Sequence, residues 1–397
     1  MSIYFDNAAT TAVSSAVAAK ILDVMTNEYG NPSSVHRMGA RAEREIQLAT
    51  EKLAEMLIVR PEEMVYTSGG TEANNLAVLG AARAYGREGR HIITSTAEHP
   101  SVEQAMKTLE QENFDVTRLP VNEQGFLTAE DVLGALRGDT ILVSLIHVNN
   151  ETGSVLDILD IARRVKKVNP RVLIHTDGVQ SFCKCPLDLG DIDLYSMSGH
   201  KIHGPKGVGA LRVKKGTKLK PLLFGGGQQR NLRPGTENTP GILGMIEAAG
   251  ECLKNSPAAF ARVTEMKTIL SALADEMDGV AVNGRLDSRR TSPYILNMSF
   301  LGVKGETLVH ALAGENIFVS TGAACRSRHD SHNGLKPLGL QPLGLSPERI
   351  ESAVRFSFSG DNTLEEAQIC KEAVSRLARQ LRAAVGRRLL HIHSGAM

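Results

Sequence analysis

Neither sign of charge is in surplus here: 45 Lys and Arg stand against 44 Asp and Glu, a formal net charge of +1 over 397 residues. Dedicated nucleic-acid binders carry a basic excess, so the balance argues against that class without excluding a local basic patch. Long apolar runs are missing too. No stretch approaches the roughly 18 uninterrupted apolar residues of a membrane span. The start, Met1-Ser2-Ile3-Tyr4-Phe5-Asp6, lacks the basic region and apolar core of a secretion signal, so a cytoplasmic protein is expected. Cysteines are few and unpaired in number: Cys183, Cys185, Cys252, Cys325 and Cys370. An odd count, mostly far apart in a long chain without export signals, is not a disulfide framework. Such thiols are either packed or reactive, and counting does not separate the two.

What is present is ordinary globular material, 42% hydrophobic and 22% charged. At about 150 residues per domain the length suggests two or three domains, with a core that needs no staples. Residues 41–58 carry apolar positions at helical spacing with charges opposite. Short β-rich runs recur at 64–67, 91–94, 141–146 and 172–175, with helical candidates at 72–85, 101–112, 128–137 and 156–167. That alternation predicts an α/β fold with a large, mainly parallel sheet covered on both faces. A composition shift at Asn255-Ser256-Pro257 precedes a helical run over 258–277, strands near 293–300 and 316–319, and a helix around 364–385. We expect a large α/β domain over 16–257 and a smaller α+β domain from 1–15 and 258–397, with residues 390–397 frayed. Lys336-Pro337-Leu338-Gly339-Leu340 is followed directly by Gln341-Pro342-Leu343-Gly344-Leu345. This near-duplication in a Gly/Pro-rich loop just after Cys325 predicts an exposed, mobile segment over about 320–345.

Chemistry concentrates after the strands. Ser198-Gly199-His200-Lys201 closes the strand 194–197, and a lysine in so tight a turn can be desolvated enough for Schiff-base chemistry. A surface turn with a solvated lysine fits the same tetrapeptide. Asp177, in His175-Thr176-Asp177-Gly178-Val179-Gln180, falls at a strand's carboxyl end, where open α/β sheets bind ligands. It could keep a pyridine nitrogen protonated, with Gln180 reaching a phenolic oxygen, or it could simply cap the next helix. Thr67-Ser68-Gly69-Gly70-Thr71-Glu72 leads from strand to helix and suits a single phosphate. It has neither the P-loop ending nor the dinucleotide glycine spacing. Gly225-Gly226-Gly227 and Arg233-Pro234-Gly235-Thr236 could add a second phosphate contact. His99 could stack on a ring or carry protons, and Asn149-Asn150-Glu151 marks another strand end. Cys325 ends a run of small residues, with Arg326 and Arg328 beside it to favour the thiolate. Cys183-x-Cys185 has no second pair at zinc spacing, and His329-x-x-His332 reads better as a solvated loop, so no metal is expected.

A Schiff-base lysine, a ring-nitrogen acid, a stacking histidine and a phosphate cup are together what pyridoxal 5′-phosphate needs. With these motifs in order, and with Tyr4-Phe5-Asp6-Asn7-Ala8-Ala9-Thr10-Thr11, Tyr29-Gly30-Asn31-Pro32-Ser33-Ser34 and Arg355-Phe356-Ser357, the chain resembles the NifS/IscS-type cysteine desulfurases. These are class V aminotransferase-superfamily enzymes of fold-type I, and the likeness runs over most of the chain. The resemblance implies that Lys201 holds the cofactor, Asp177 pairs with its ring nitrogen, Gln180 with its phenolic oxygen, and His99 stacks on the ring. Gly70, Thr71, Ser198 and His200 would bind the phosphate, and Thr236 the phosphate of the other subunit of a homodimer. Asn150 and Arg355 would hold the carboxylate of L-cysteine. Cys325 would take the sulfur as a persulfide and pass it to an iron–sulfur scaffold or thiolation carrier. His99 would handle protons near the sulfur, while Cys183, Cys185, Cys252 and Cys370 default to packing. Selenocysteine lyase, another class V lyase or aminotransferase, and a silent binding homologue are the alternatives. Lys201, Asp177, His99 and Arg355, all in place, argue against the last. The text after Cys325, from Arg326 to Gly334, departs from the family's Leu-Glu-Pro-Ser segment, and the distance to Arg355 is longer than usual.

Overall fold

The computed structural model describes residues 2–185, 188–287, 290–321 and 339–394. Along the chain its strands are β1 (Ile3–Tyr4), β2 (Met64–Thr67), β3 (His91–Ser95), β4 (Asp115–Leu119), β5 (Thr140–Ile146), β6 (Leu173–Asp177), β7 (Leu194–Ser198), β8 (Gly209–Val213), β9 (Val280–Val282), β10 (Ile295–Phe300), β11 (Ile317–Phe318) and β12 (Ala353–Ser357). Seven of them form the main sheet in the order β2-β8-β7-β6-β5-β3-β4. The pairs from β7 through β6, β5 and β3 to β4 are parallel, and β8 alone runs against its neighbours. The mainly parallel sheet expected from the sequence is therefore present.

Strand periodicity divides its side chains between two faces. Ile93, Ile174 and Tyr195 enter one core, and their neighbours Ile92, Leu173 and Leu194 enter the other. Every residue of β5, β6, β7 and β8 is buried, as both-faced coverage by helices requires. The helix Gly70–Tyr85 covers one face with an almost continuous buried run from Ala73 to Ala82, small residues letting it sit close. The helix expected over 41–58 spans Arg37–Leu57, capped by His36 and stopped by Ile58 in a left-handed conformation (φ 55°).

The helix expected to begin at 258 instead runs unbroken from Thr239 to Ser271, straight through Pro257. Proline there removes one helix hydrogen bond, but packing at both ends holds the helix together. Ile242, Met245 and Ala249 lie in the main-sheet core, whereas Val263, Met266 and Leu270 lie in a second core. That second core packs the antiparallel sheet β12-β10-β9 and the two-stranded parallel β1–β11, with Phe5 and Phe358 meeting edge to face at 5.1 Å. The terminal helix extends from Leu364 to Ser394, covering residues expected to be frayed as far as that point. The described end of the duplicated loop, from residue 339 on, also differs from expectation. Leu340 and Leu343 are buried against Ala353 of β12, which gives both side chains an apolar surface to cover.

Candidate active site

The main sheet brings the predicted residues to one edge. Asp177 ends β6, Ser198 ends β7, and Gly69-Gly70 follow β2. Thr67 of β2 and Ser198 of β7 both pair with Gly209 of β8, so these strand ends lie level. His99 follows β3 and caps the helix Pro100–Gln111, while Asn150 follows β5. This is the carboxyl edge of the parallel strands, the usual ligand side of such sheets.

Asp177 is 3% exposed. Its Oδ1 accepts from the Val179 amide at 3.0 Å and its Oδ2 from Asn74 Nδ2 at 2.7 Å. Among the described residues no lysine or arginine pairs with it. A buried carboxylate held by neutral donors alone is suited to a cationic ligand. Asn74 also donates to Ser101 Oγ at 2.9 Å, which in turn lies 2.8 Å from His99 Nδ1. The Ser101 amide donates to the same nitrogen at 3.1 Å. With Nδ1 accepting, neutral His99 carries its proton on Nε2, an assignment made from the hydrogen-bond network. Burial lowers the His99 pKa and Lys201 lowers it further, against the pull of Asp177.

Lys201 lies in the tight turn Gly199–Lys201, half-buried, and its Nζ donates to the carbonyls of Ala8 at 2.6 Å and Ala9 at 2.7 Å. Gln180 Nε2 donates to the same Ala8 carbonyl at 2.9 Å. His200 Nδ1 is 3.2 Å from Thr10 Oγ1, and burial with Lys201 alongside brings its pKa down to about 4. Ser198 Oγ is buried without a hydrogen-bond partner. It faces the Gly69-Gly70 turn, where Gly69 adopts φ 152° and a β-carbon on Gly70 would come 2.5 Å from Val179 Cγ2. An unsatisfied hydroxyl beside free amides at a helix start is an anion cup. Thr71 stands exposed at its rim. Thr236 is exposed as well, after Gly235 at φ 107°, and its side chain bonds to none of these residues.

Arg355 reaches the edge from β12 and is 3% exposed. Its Nη2 donates to Asp6 Oδ1 at 3.0 Å, and Nη1 donates to the Asn150 carbonyl at 2.9 Å with Glu151 Oε1 at 3.6 Å. Its Nε is buried without an acceptor, leaving a donor for an incoming carboxylate. Burial raises the Asp6 pKa against the lowering effect of Arg355. Asn150 Nδ2 donates to Glu151 Oε1 at 2.9 Å. Cys325, with Arg326, Arg328, His329 and His332, lies outside the described residues. Sequence alone gives Asn74, Ser101 and Asp6 no role. Asn74 lies two residues beyond the Thr67–Glu72 stretch and Ser101 two residues after His99, but only the fold shows them bonded to Asp177 and His99.

A buried acid prepared for a cation, set beside a lysine and an oxyanion-sized cup, is the apparatus of an enzyme built around a phosphorylated pyridine cofactor. The chain belongs to the class-V aminotransferase family, whose model matches residues 3–369. Members of this family use pyridoxal 5′-phosphate, and the unsatisfied Ser198 hydroxyl and uncompensated Asp177 fit that group. Cysteine desulfurase IscS of Clostridium botulinum is 37% identical over 384 residues, 96% of this chain and 95% of the relative. Among solved structures, a NifS-like protein superposes with a TM-score of 0.87 at 34% identity, covering 96% of this chain and 99% of its own. A structure of SspA in complex with cysteine matches with a TM-score of 0.77 at 34% identity, over 90% of this chain and 98% of its own.

Proposed function

We propose that this is a pyridoxal 5′-phosphate-dependent cysteine desulfurase that converts L-cysteine to L-alanine and leaves the sulfur as a persulfide on Cys325. The observation that carries the reading is Asp177, a buried carboxylate without a protein cation, at the same sheet edge as Lys201 and the Ser198 hydroxyl. Lys201 would hold the cofactor, Asp177 its ring nitrogen, Gln180 its phenolic oxygen and His99 its ring face. Gly70, Thr71, Ser198 and His200 would take the phosphate, and Thr236 would reach the phosphate at the other subunit of a homodimer. When bound, the cofactor supplies an electron sink for bonds broken at the α-carbon of an amino acid.

This chain's residues then divide the remaining work. Arg355 binds the substrate carboxylate through its free Nε and a neighbouring Nη, with Asn150 beside it. Lys201, once off the Ala8 and Ala9 carbonyls, is the base for the α-proton. His99, neutral and fixed at Nδ1, presents Nε2–H for proton traffic at the sulfur. The Cys325 thiolate attacks the substrate sulfur: the new S–S bond forms as the C–S bond breaks, and its electron pair stays with the carbon that becomes the alanine methyl. A protein thiol on an iron–sulfur scaffold or thiolation carrier would then receive the sulfane sulfur, in the cytoplasm. The large unit, 16–257, supplies the cofactor site, and the small one, 1–15 and 258–397, supplies Arg355 and the cysteine loop of about 320–345. The test is alanine release from L-cysteine, with selenocysteine run in parallel. The wild type should form alanine from cysteine, Lys201→Ala should lose the visible cofactor absorbance, and Cys325→Ser should keep the absorbance but stop sulfur release. Sulfur release by Cys325→Ser at the wild-type rate, or turnover of selenocysteine alone, overturns the assignment.

A further inference from the structure

A second group of thiols has no part in that chemistry. Cys183 sits in the turn just after Gln180, and Cys252 lies midway along the helix Thr239–Ser271. The Cys252 thiol reaches the Cys183 residue directly, its Sγ donating to the Cys183 carbonyl oxygen at 3.5 Å. Cys183 holds φ 61°, a left-handed conformation that disfavours any residue with a β-carbon. Lys184, between them in the chain, is 9% exposed, and its Nζ stands 5.5 Å from the Tyr294 ring. Among the described residues no carboxylate pairs with it. Burial lowers the Lys184 pKa, and the groups that pull it back up are the sulfurs of Cys252 and Cys183, so an anion at either sulfur favours the ammonium.

Cys252 and Lys184 line a cavity of about 250 Å³ together with Glu251, Arg262 and Asp361. Its wall thus carries both signs of charge beside a thiol. We propose that Cys252 and Cys183 are a second reactive site, a dithiol that exchanges with small zwitterionic disulfides of the cystine class, the oxidised form of an amino-acid thiol. The Cys252 thiolate attacks one ligand sulfur: the ligand S–S bond breaks, a mixed disulfide forms on Cys252, and one ligand half leaves as a thiol. Cys183 then attacks the Cys252 sulfur, releasing the second half as a thiol and closing a Cys183–Cys252 disulfide. Two electrons and two protons pass from the protein to the ligand, and no other oxidant is needed. The order follows from the environment. Cys252 lines the cavity and meets the ligand first, whereas Cys183 stands behind it outside the cavity wall, and burial raises the Cys183 pKa while the effect of Lys184 lowers that of Cys252. Cys185, whose Sγ is 3.9 Å from His147 Nε2, has its pKa raised by burial and serves as an internal control.

The test incubates the full-length holoenzyme with cystine and maps the modified peptides by mass spectrometry. Wild type should yield a Cys183–Cys252 disulfide with Cys185 unmodified. Cys183→Gly, which suits the left-handed backbone, should stop at a half-cystine adduct on Cys252. Cys252→Ser should slow loss of the Cys183 thiol on the order of tenfold or more. Uncharged hydroxyethyl disulfide should react more slowly than cystine. An unmodified pair in wild type, no adduct on Cys252 in Cys183→Gly, or an undiminished rate at Cys183 in Cys252→Ser overturns the site. Equal rates with the uncharged disulfide overturn the ligand class.

Discussion

Glu98 gives a sharp test of the electrostatics behind His99. It is buried, with Oε1 accepting from Ser95 Oγ at 2.5 Å and from the Ile146 amide at 3.0 Å, while Oε2 has no partner. Burial raises its pKa from 4.5 to about 8, helped by Asp177 and Glu103. The folded protein therefore binds this proton more tightly than the unfolded chain. Its contribution to stability is fully present below about pH 4.5 and is lost as pH rises through about 8. For those two values, linkage gives a loss of roughly 2 to 3 kcal/mol between about pH 6 and pH 8.5.

Glu98→Gln keeps the acceptor oxygen facing Ser95 and Ile146 and cannot titrate. Urea unfolding of both proteins at about pH 6 and pH 8.5 isolates the group, because every other titration is common to the pair. The wild type should lose roughly 2 to 3 kcal/mol more than the variant on going to the higher pH. Parallel curves, with the two proteins losing the same stability, would refute the inference that Glu98 is buried as the neutral acid.

Three further perturbations probe the contacts around the site. Arg355→Ala strands the half-buried carboxylate of Asp6 and should cost about 3 to 5 kcal/mol, and Asp6→Asn in the same chain should recover part of it. Unfolding free energies that add to within about 0.5 kcal/mol would show the two residues uncoupled. Asn74→Ala removes a hydrogen bond to a buried carboxylate and should cost about 2 kcal/mol, and Asn74→Asp more because it sets like charges together; an unchanged urea midpoint contradicts this. A β-carbon at Gly178 would land on the Tyr195 ring, so Gly178→Ala should cost about 1 to 3 kcal/mol, and the smaller Tyr195→Leu should relieve it in the double variant. A double variant no better than the sum of its parts rules out that clash.

Much of the site was legible because its parts follow readable strands. Asp177, Ser198 and Gly69-Gly70 each stand where an apolar run ends in a turn, and the parallel sheet brings such ends to one edge. Partners were not legible, because hydrophobic periodicity reports which face is buried and never what it meets. The Asn74–Asp177 and Asp6–Arg355 bonds join distant segments that carry no local mark of one another. β4, Asp-Val-Thr-Arg-Leu, is an edge strand with its first residue exposed, so its apolar signal is weak. β12, Ala-Val-Arg-Phe-Ser, has a charged residue at its centre that breaks the apolar run, and that buried residue is Arg355. Pro257 is a strong breaker by local chemistry, but the helix crossing it is anchored in two cores, and tertiary packing outweighs the missing hydrogen bond.

The segment from Asp6 to Ala9 ties these observations into one mechanical unit. From the large sheet, Lys201 and Gln180 both bond to the Ala8 carbonyl, with Lys201 also on that of Ala9. From β12, Ser357 Oγ accepts from the Ala8 amide at 2.9 Å and Arg355 holds Asp6. The residue proposed for the cofactor and the residue proposed for the substrate carboxylate are thus fastened to opposite ends of the same few residues. A carboxylate arriving at Arg355 competes with Asp6 for the guanidinium, and the raised pKa of Asp6 makes that acid the one more readily neutralised. Releasing Asp6 loosens one anchor of the turn whose carbonyls hold Lys201 Nζ. On the proposed roles, carboxylate binding at Arg355 of β12 and release of Lys201, in the turn after β7, are coupled through the backbone between them.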